Sequence, residues 1–246
     1  MRRLNEIICV FRIQLAGMRG EAGPFLLAAL VFPSAMYLFA GAVGGAAGAQ
    51  GETRLRFLAG SIVFSLSLTS ISWLGYLMLE NRFTGRLKLF ATLPLAPSSY
   101  VFGFLGFALA QGTLSTVALL LLGRLAGVPL SPSVLPLALV VLLTTLCLCG
   151  LGAVVAARAR SFTEGSLLTD ALGAGLVFLA PVYYGPEAMP RWLAAASRFL
   201  PTAFAADAVR TSLAGGRAVY GAALALALTA ALTLSLALKL LKWRED

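Results

Sequence analysis

The chain has 246 residues, of which 59% are hydrophobic and 12% charged, where an ordinary soluble domain carries about 25% charge. Six long apolar stretches dominate it, more than one soluble interior can hide, and no charged segment is long enough for a separate enzyme domain. The net charge of +9 sits at the ends of these stretches, where membrane topology places basic residues, so it is not a nucleic-acid footprint.

Residues 1–19 come first. Leu4, Ile7, Ile8, Phe11, Leu15 and Met18 recur at helical spacing, with Arg2, Arg3, Glu6, Arg12 and Arg19 mostly off that stripe. This pattern predicts an amphipathic helix lying in a membrane interface. The first apolar stretch, Phe25–Val43, follows the helix-start pair Gly23-Pro24 and contains Pro33, which predicts a kink. It is longer than a cleavable signal core, so cleavage at the Ala47-Gly48-Ala49 triplet is not expected. The second stretch, Phe57–Leu79, carries Ser61, Ser65, Thr69 and Ser72 at spacings of 4, 4 and 3. That spacing stacks the hydroxyls on one helix face, turned toward other helices or toward a polar path.

The gap at 80–94 reads Glu80-Asn81-Arg82-Phe83-Thr84-Gly85-Arg86-Leu87-Lys88-Leu89-Phe90-Ala91-Thr92-Leu93-Pro94. Phe83, Leu87 and Phe90 form one apolar face with Arg86 and Lys88 off it, which predicts a short surface helix stopped by Pro94. The third stretch, Tyr100–Leu122, holds Gly106 and Ala110, a small-xxx-small pair that marks close helix approach. The fourth, Val134–Val155, contains Cys147 and Cys149 on different faces; with Cys9 they make three cysteines, an odd number that argues against a disulfide framework. Ser161 to Glu164 then reads as an N-cap pattern.

The fifth stretch, Leu167–Val182, is short and is cut by Pro181. Asp170 is its one carboxylate, and an intramembrane carboxylate is a functional candidate by default. In 181–219, Trp192, Leu193, Ala196, Phe199 and Leu200 make an apolar helical face, Pro201 breaks it, and Ala203 to Leu213 makes a second short helix. The pair is expected to dip into the outer leaflet, with a surface-lying pair as the alternative. The sixth stretch, Tyr220–Leu241, ends in the interfacial anchor Lys239, Lys242, Trp243 and Arg244.

With the N-terminus inside and six crossings, twelve Lys and Arg residues fall inside and seven outside. That bias sets both termini in the cytoplasm. The chain has no GxxxxGK[ST] phosphate loop, no HExxH, no GxSxG, no CxxC and no histidine. It therefore lacks the usual parts for binding ATP itself or for serine or metal chemistry.

Glu80 to Pro94 resembles the segment after the second span of the type-2 ATP-binding-cassette (ABC-2) exporter permeases, with its acidic start, Gly-x-Leu-x-Leu helix and Thr-x-Pro end. Phe178 to Arg210, FLAPVYYGPEAMPRWLAAASRFLPTAFAADAVR, resembles that family's most characteristic region, with Phe199-Leu200-Pro201 where Asn-Pro is common. The resemblance implies one all-α integral membrane domain over 1–246, with an interfacial connecting helix at 1–19 and six transmembrane helices. It further implies a coupling helix at 80–94 and re-entrant helices at 181–219. Glu80, Arg82, Phe83, Gly85, Arg86, Leu87, Lys88 and Phe90 would then couple the chain to a separate ATPase subunit, which binds the ATP; the chain itself needs no cofactor. A second permease chain, identical or not, would complete a substrate path between spans two and five, with Ser65, Thr69, Ser72, Asp170 and Phe178 as candidate lining residues. The residues alone leave open a secondary transporter or channel needing no ATPase, or a lipid-directed membrane enzyme.

Overall fold

The computed structural model describes residues 2–17, 23, 26–46, 51–185, 187, 189–216 and 218–241, and among them it contains helices and connecting turns without strands. Helix α1 is Arg2–Gly17. A π-helical turn, Leu27–Val31, leads into α2, Phe32–Ala46. Helix α3 runs continuously over Gly51–Phe83, with a π-helical segment at Leu68–Trp73. Then follow α4, Arg86–Thr92, α5, Pro97–Leu125, and α6, Val134–Arg158. Helix α7 is Phe162–Phe178, α8 Arg191–Ser197, α9 Pro201–Leu213 and α10 Tyr220–Leu240. The Gly23-Pro24 start signal, the 47–49 triplet, Arg19 and the Lys242–Arg244 anchor involve residues outside those described.

Four of these helices, α3, α5, α6 and α10, are long and apolar enough to cross a membrane. The chain is a multi-pass membrane protein on that ground. The first and fifth apolar stretches give shorter helices. Ala29–Ala42 is the apolar part of the first. Helix α7 starts earlier than the apolar run, at the Ser161 cap, and stops at Phe178 before Pro181. Its 17 residues reach about 25 Å, short of a core of about 30 Å.

The helix starts follow local chemistry. Ser161 Oγ accepts from the Glu164 amide at 3.1 Å, and Glu164 Oε2 accepts from the Arg160 amide at 3.1 Å, a reciprocal cap. Pro97 and Pro201 open α5 and α9, where a missing amide proton costs nothing. The start of α5 is also capped from a distance. Glu6 of α1 accepts from the Ala96 amide at 3.2 Å and the Ser99 hydroxyl at 2.8 Å. Helix α1 thus lies along α5, with Val10 fully buried and Leu4, Ile8, Ile13 and Leu15 exposed. The close approach sits at Gly103, where an added Cβ would lie 2.6 Å from Val10. It is not at the Gly106 and Ala110 pair; Ala110 is exposed.

Helix α6 is the hub, packing on α10, α9, α3, α5 and α7. Two apolar cores flank the π segment of α3. One gathers Leu58, Ile62 and Leu66 of α3 with Leu137 and Val140 of α6 and Ala205 and Val209 of α9. The other gathers Leu74, Met78 and Leu79 with Leu87, Phe90, Tyr100, Phe104 and Ala153. Helix α9 is therefore core, whereas α8 exposes Trp192 and the following turn exposes Phe199 (72% and 82%). Of the apolar face expected on this segment, Trp192, Ala196 and Phe199 point outward, while Leu193 is half-buried and Leu200 packs against the core.

Candidate functional site

The 80–94 segment hangs from the end of α3. The chain turns at Gly85, whose φ of 80° lies in the left-handed region that only glycine adopts without strain. An added Cβ there would meet nothing within 4 Å, so backbone conformation alone calls for glycine. Thr84 closes the end of α3 by donating its amide (2.8 Å) and hydroxyl (2.6 Å) to the Glu80 carbonyl. Across the turn, Arg86 Nη1 pairs with Glu80 Oε1 at 3.2 Å. Helix α4 then runs for 7 residues, and Leu93 leaves it in extended backbone before Pro94.

The three apolar residues expected on one face do not share it. Leu87 and Phe90 are buried, and the Phe90 ring meets Tyr100 edge-on at 5.3 Å between centroids. Phe83 is 42% exposed and lies under the Arg82 guanidinium, 5.2 Å from its centroid. The Gly85 turn resets the helical phase between residues 83 and 87, so a spacing of 4 carried across it does not define a face. The exposed face of α4 and its end consists of Arg86, Lys88, Leu89, Thr92 and Leu93. Leu89, at 68% exposure, and Leu93 are functional candidates that sequence reasoning passed over. Their spacing of 4 was a readable signal, overshadowed by the aromatic stripe.

Arg82 points the other way. Its Nη1 reaches the carbonyl oxygens of Ala156 (3.0 Å), Ala157 (3.2 Å) and Ala159 (2.9 Å) at the C-terminus of α6. A helix C-terminus leaves carbonyls without intrahelical partners and carries a partial negative charge. One guanidinium answers both needs. The turn bearing α4 is thereby bound to the hub helix through a residue 74 to 77 positions away in sequence.

The hydroxyl stripe of α3 is divided. Ser65 shares a 2.5 Å hydrogen bond with Ser115 of α5, and Thr69 bonds back to the Ser65 carbonyl at 2.9 Å. Ser67 donates to Gly173 O of α7 at 2.8 Å, and Ser72 to Thr169 O at 3.5 Å. Residues 67 and 72 face one partner because the π segment between them bonds with a period of 5 rather than 4. Ser72 is thus rotated off the face that holds Ser65. Ser61 bonds to its own helix, at Phe57 O. Ser65 and Thr69 are fully buried inside the chain, whereas Asp170 and Phe178 stand exposed on α7. The structure therefore does not bring these five path candidates together at one surface. Gly152 lets α6 reach the wide turn, since an added Cβ would fall 2.9 Å from Ile71 O and 3.1 Å from its Cα.

All three cysteines are free, and Cys147 and Cys149 are buried. A model of the family described as ABC-2 type transporter matches residues 7–214. No curated protein matches the chain.

Proposed function

The chain belongs to the ABC-2 type transporter family, and from that premise we propose that it is the permease subunit of an ATP-driven exporter in the cell membrane. A separate ATPase subunit binds and hydrolyses the ATP, and this chain does no chemistry of its own. Two permease chains, identical or different, enclose the path. Helices α2, α3, α5, α6, α7 and α10 make six crossings with both termini in the cytoplasm, as the twelve-to-seven split of basic residues supports. Helix α1 lies on the cytoplasmic interface, α4 projects from the same side, and α8 and α9 occupy the outer leaflet. Irregular backbone is tolerated there because α9 is covered by α3, α6 and α10.

The observation that carries this reading is the form of α4. It is a short rod seated by Leu87 and Phe90 and presenting Leu89 and Leu93 beside Arg86 and Lys88. An apolar pair ringed by cations on an exposed helix suits a docking groove with acidic margins. ATP closing the two ATPases displaces α4, and Arg82 passes that displacement to α6 and the helices packed on it. Coupling of this kind requires only that nucleotide favour one of two arrangements. The exposed face of α7 from each of the two chains, with α3 packed behind it, forms the path. Asp170 and Phe178 reach it directly, while Ser65, Thr69 and Ser72 stand behind.

Purification in mild detergent tests this. A nucleotide-hydrolysing subunit is expected to accompany the wild-type chain and to be lost from Leu89→Asp. Transport of solute by the purified chain alone, under an ion gradient, would instead establish a transporter that needs no ATPase.

A further inference from the structure

We propose that the cleft between α8 and α9 binds the phosphate of an anionic phospholipid headgroup. The cleft has a volume of about 370 Å³, and its walls include Ala194, Ser197 and Arg198 on one side and Phe204, Asp207 and Arg210 on the other. Its two guanidinium groups differ. Arg210 is held in place, bonded to the Ala206 carbonyl at 3.3 Å and paired with Asp207, with its side chain 19% exposed. Arg198 is exposed and has no ion pair or hydrogen bond among the described residues. One carboxylate against two guanidinium groups leaves the cleft one positive charge, carried by a side chain with free donors. A phosphate takes up such donors in a planar fork.

The surroundings select the lipid form of phosphate. Trp192 and Phe199 expose 72% and 82% of their surface on the same short helix and the turn after it, and Arg191 stands exposed beside Trp192. Aromatic rings and arginines presented together match the headgroup region, where rings sit among acyl carbonyls and guanidinium groups meet phosphates. A free anion would leave both rings in water. The choice of the outer leaflet rests on the topology proposed above; the cleft and its charge do not.

The test uses the full chain, delipidated in a neutral detergent, and native mass spectrometry of bound dihexanoyl phosphatidylglycerol. Dihexanoyl phosphatidylcholine and inorganic phosphate serve as comparisons. The wild type is expected to hold phosphatidylglycerol most tightly. Arg198→Gln should weaken it about fivefold, the effect of one headgroup contact of about 1 kcal/mol. Arg198→Lys should retain part of the affinity. Ala194→Phe, which fills the cleft without altering charge, should weaken binding as much as Arg198→Gln does. Arg158→Gln, an exposed cation at the end of α6, should change nothing. Wild-type affinity in both Arg198→Gln and Ala194→Phe would overturn the site. Displacement of the lipid by an equal concentration of inorganic phosphate would overturn the lipid assignment. The leaflet is tested separately by Ala195→Cys in a Cys9→Ser chain. Labelling by an impermeant maleimide from outside supports the outer leaflet, and labelling from the cytoplasmic side alone overturns it while leaving the binding result standing.

Discussion

Replacing Arg82 by alanine should loosen the joint between α4 and α6 without unfolding either helix. One nitrogen serves three carbonyls within 3.2 Å, and its two hydrogens are shared among them. A hydrogen bond from a charged donor contributes about 1.5–3 kcal/mol, and a cation at a helix C-terminus about 0.3–1 kcal/mol where exposed. Arg82 is only half-buried, so solvent screens part of both terms and the whole loss is about 1.5–3 kcal/mol. Spread over local opening, that is roughly a 10- to 150-fold rise in amide exchange. The Thr84, Lys88 and Leu93 amides report the turn and α4, since they bond to Glu80, Gly85 and Phe90. Hydrogen exchange of the full chain in nanodiscs is the assay. Arg82→Lys, which keeps one cation near the carbonyls, should recover part of the protection. Exchange in 84–93 unchanged within about twofold in Arg82→Ala would refute the argument that this side chain joins the two helices.

Gly85→Ala should cost about 1–2 kcal/mol, because the left-handed φ penalises a Cβ that meets no other obstacle; Gly85→Asn should cost less, as read by exchange at Lys88. Gly85→Pro should abolish stimulation of the partner ATPase while membrane insertion, measured by fractionation, persists. Gly152→Ala should destabilise the α3–α6 contact by about 1–3 kcal/mol, since the added methyl meets backbone that cannot rotate aside; denaturant midpoints of the full chain in mixed micelles report it. Leu89→Asp should leave that midpoint unchanged, because the side chain is 68% exposed, while removing the co-purifying ATPase.

Local features were readable from sequence where their chemistry was local. The Ser161 and Glu164 cap involves neighbours, and so does the short helix between Gly85 and Pro94. The apolar lengths located α5, α6 and α10 closely, while α3 begins at Gly51, ahead of the apolar run that starts at Phe57. What escaped depends on distant partners or on a change of helical period. Nothing near Arg82 announces carbonyls 74 positions away, and Glu6 gives no sign of capping a helix 90 residues on. A fixed 3.6 period groups Ser72 with Ser65, whereas the π segment at Leu68–Trp73 changes that period between them. Spacing puts Trp192 and Phe199 on one face with Leu193, Ala196 and Leu200, but only the packing shows that the aromatics are uncovered while Leu200 is held against the core.

The wide turn in the middle of α3 falls between the two apolar cores, so it divides that helix into an upper and a lower shaft. An extra residue in such a turn corresponds to a rotation of about 100° about the helix axis. If the turn tightened to ordinary pitch, the shaft bearing Gly85 would have to turn against its own core of Leu74, Met78 and Leu79 and against the Arg82 bonds to α6. Gly85 and α4 would then move together with that core, because Leu87 and Phe90 are seated in it.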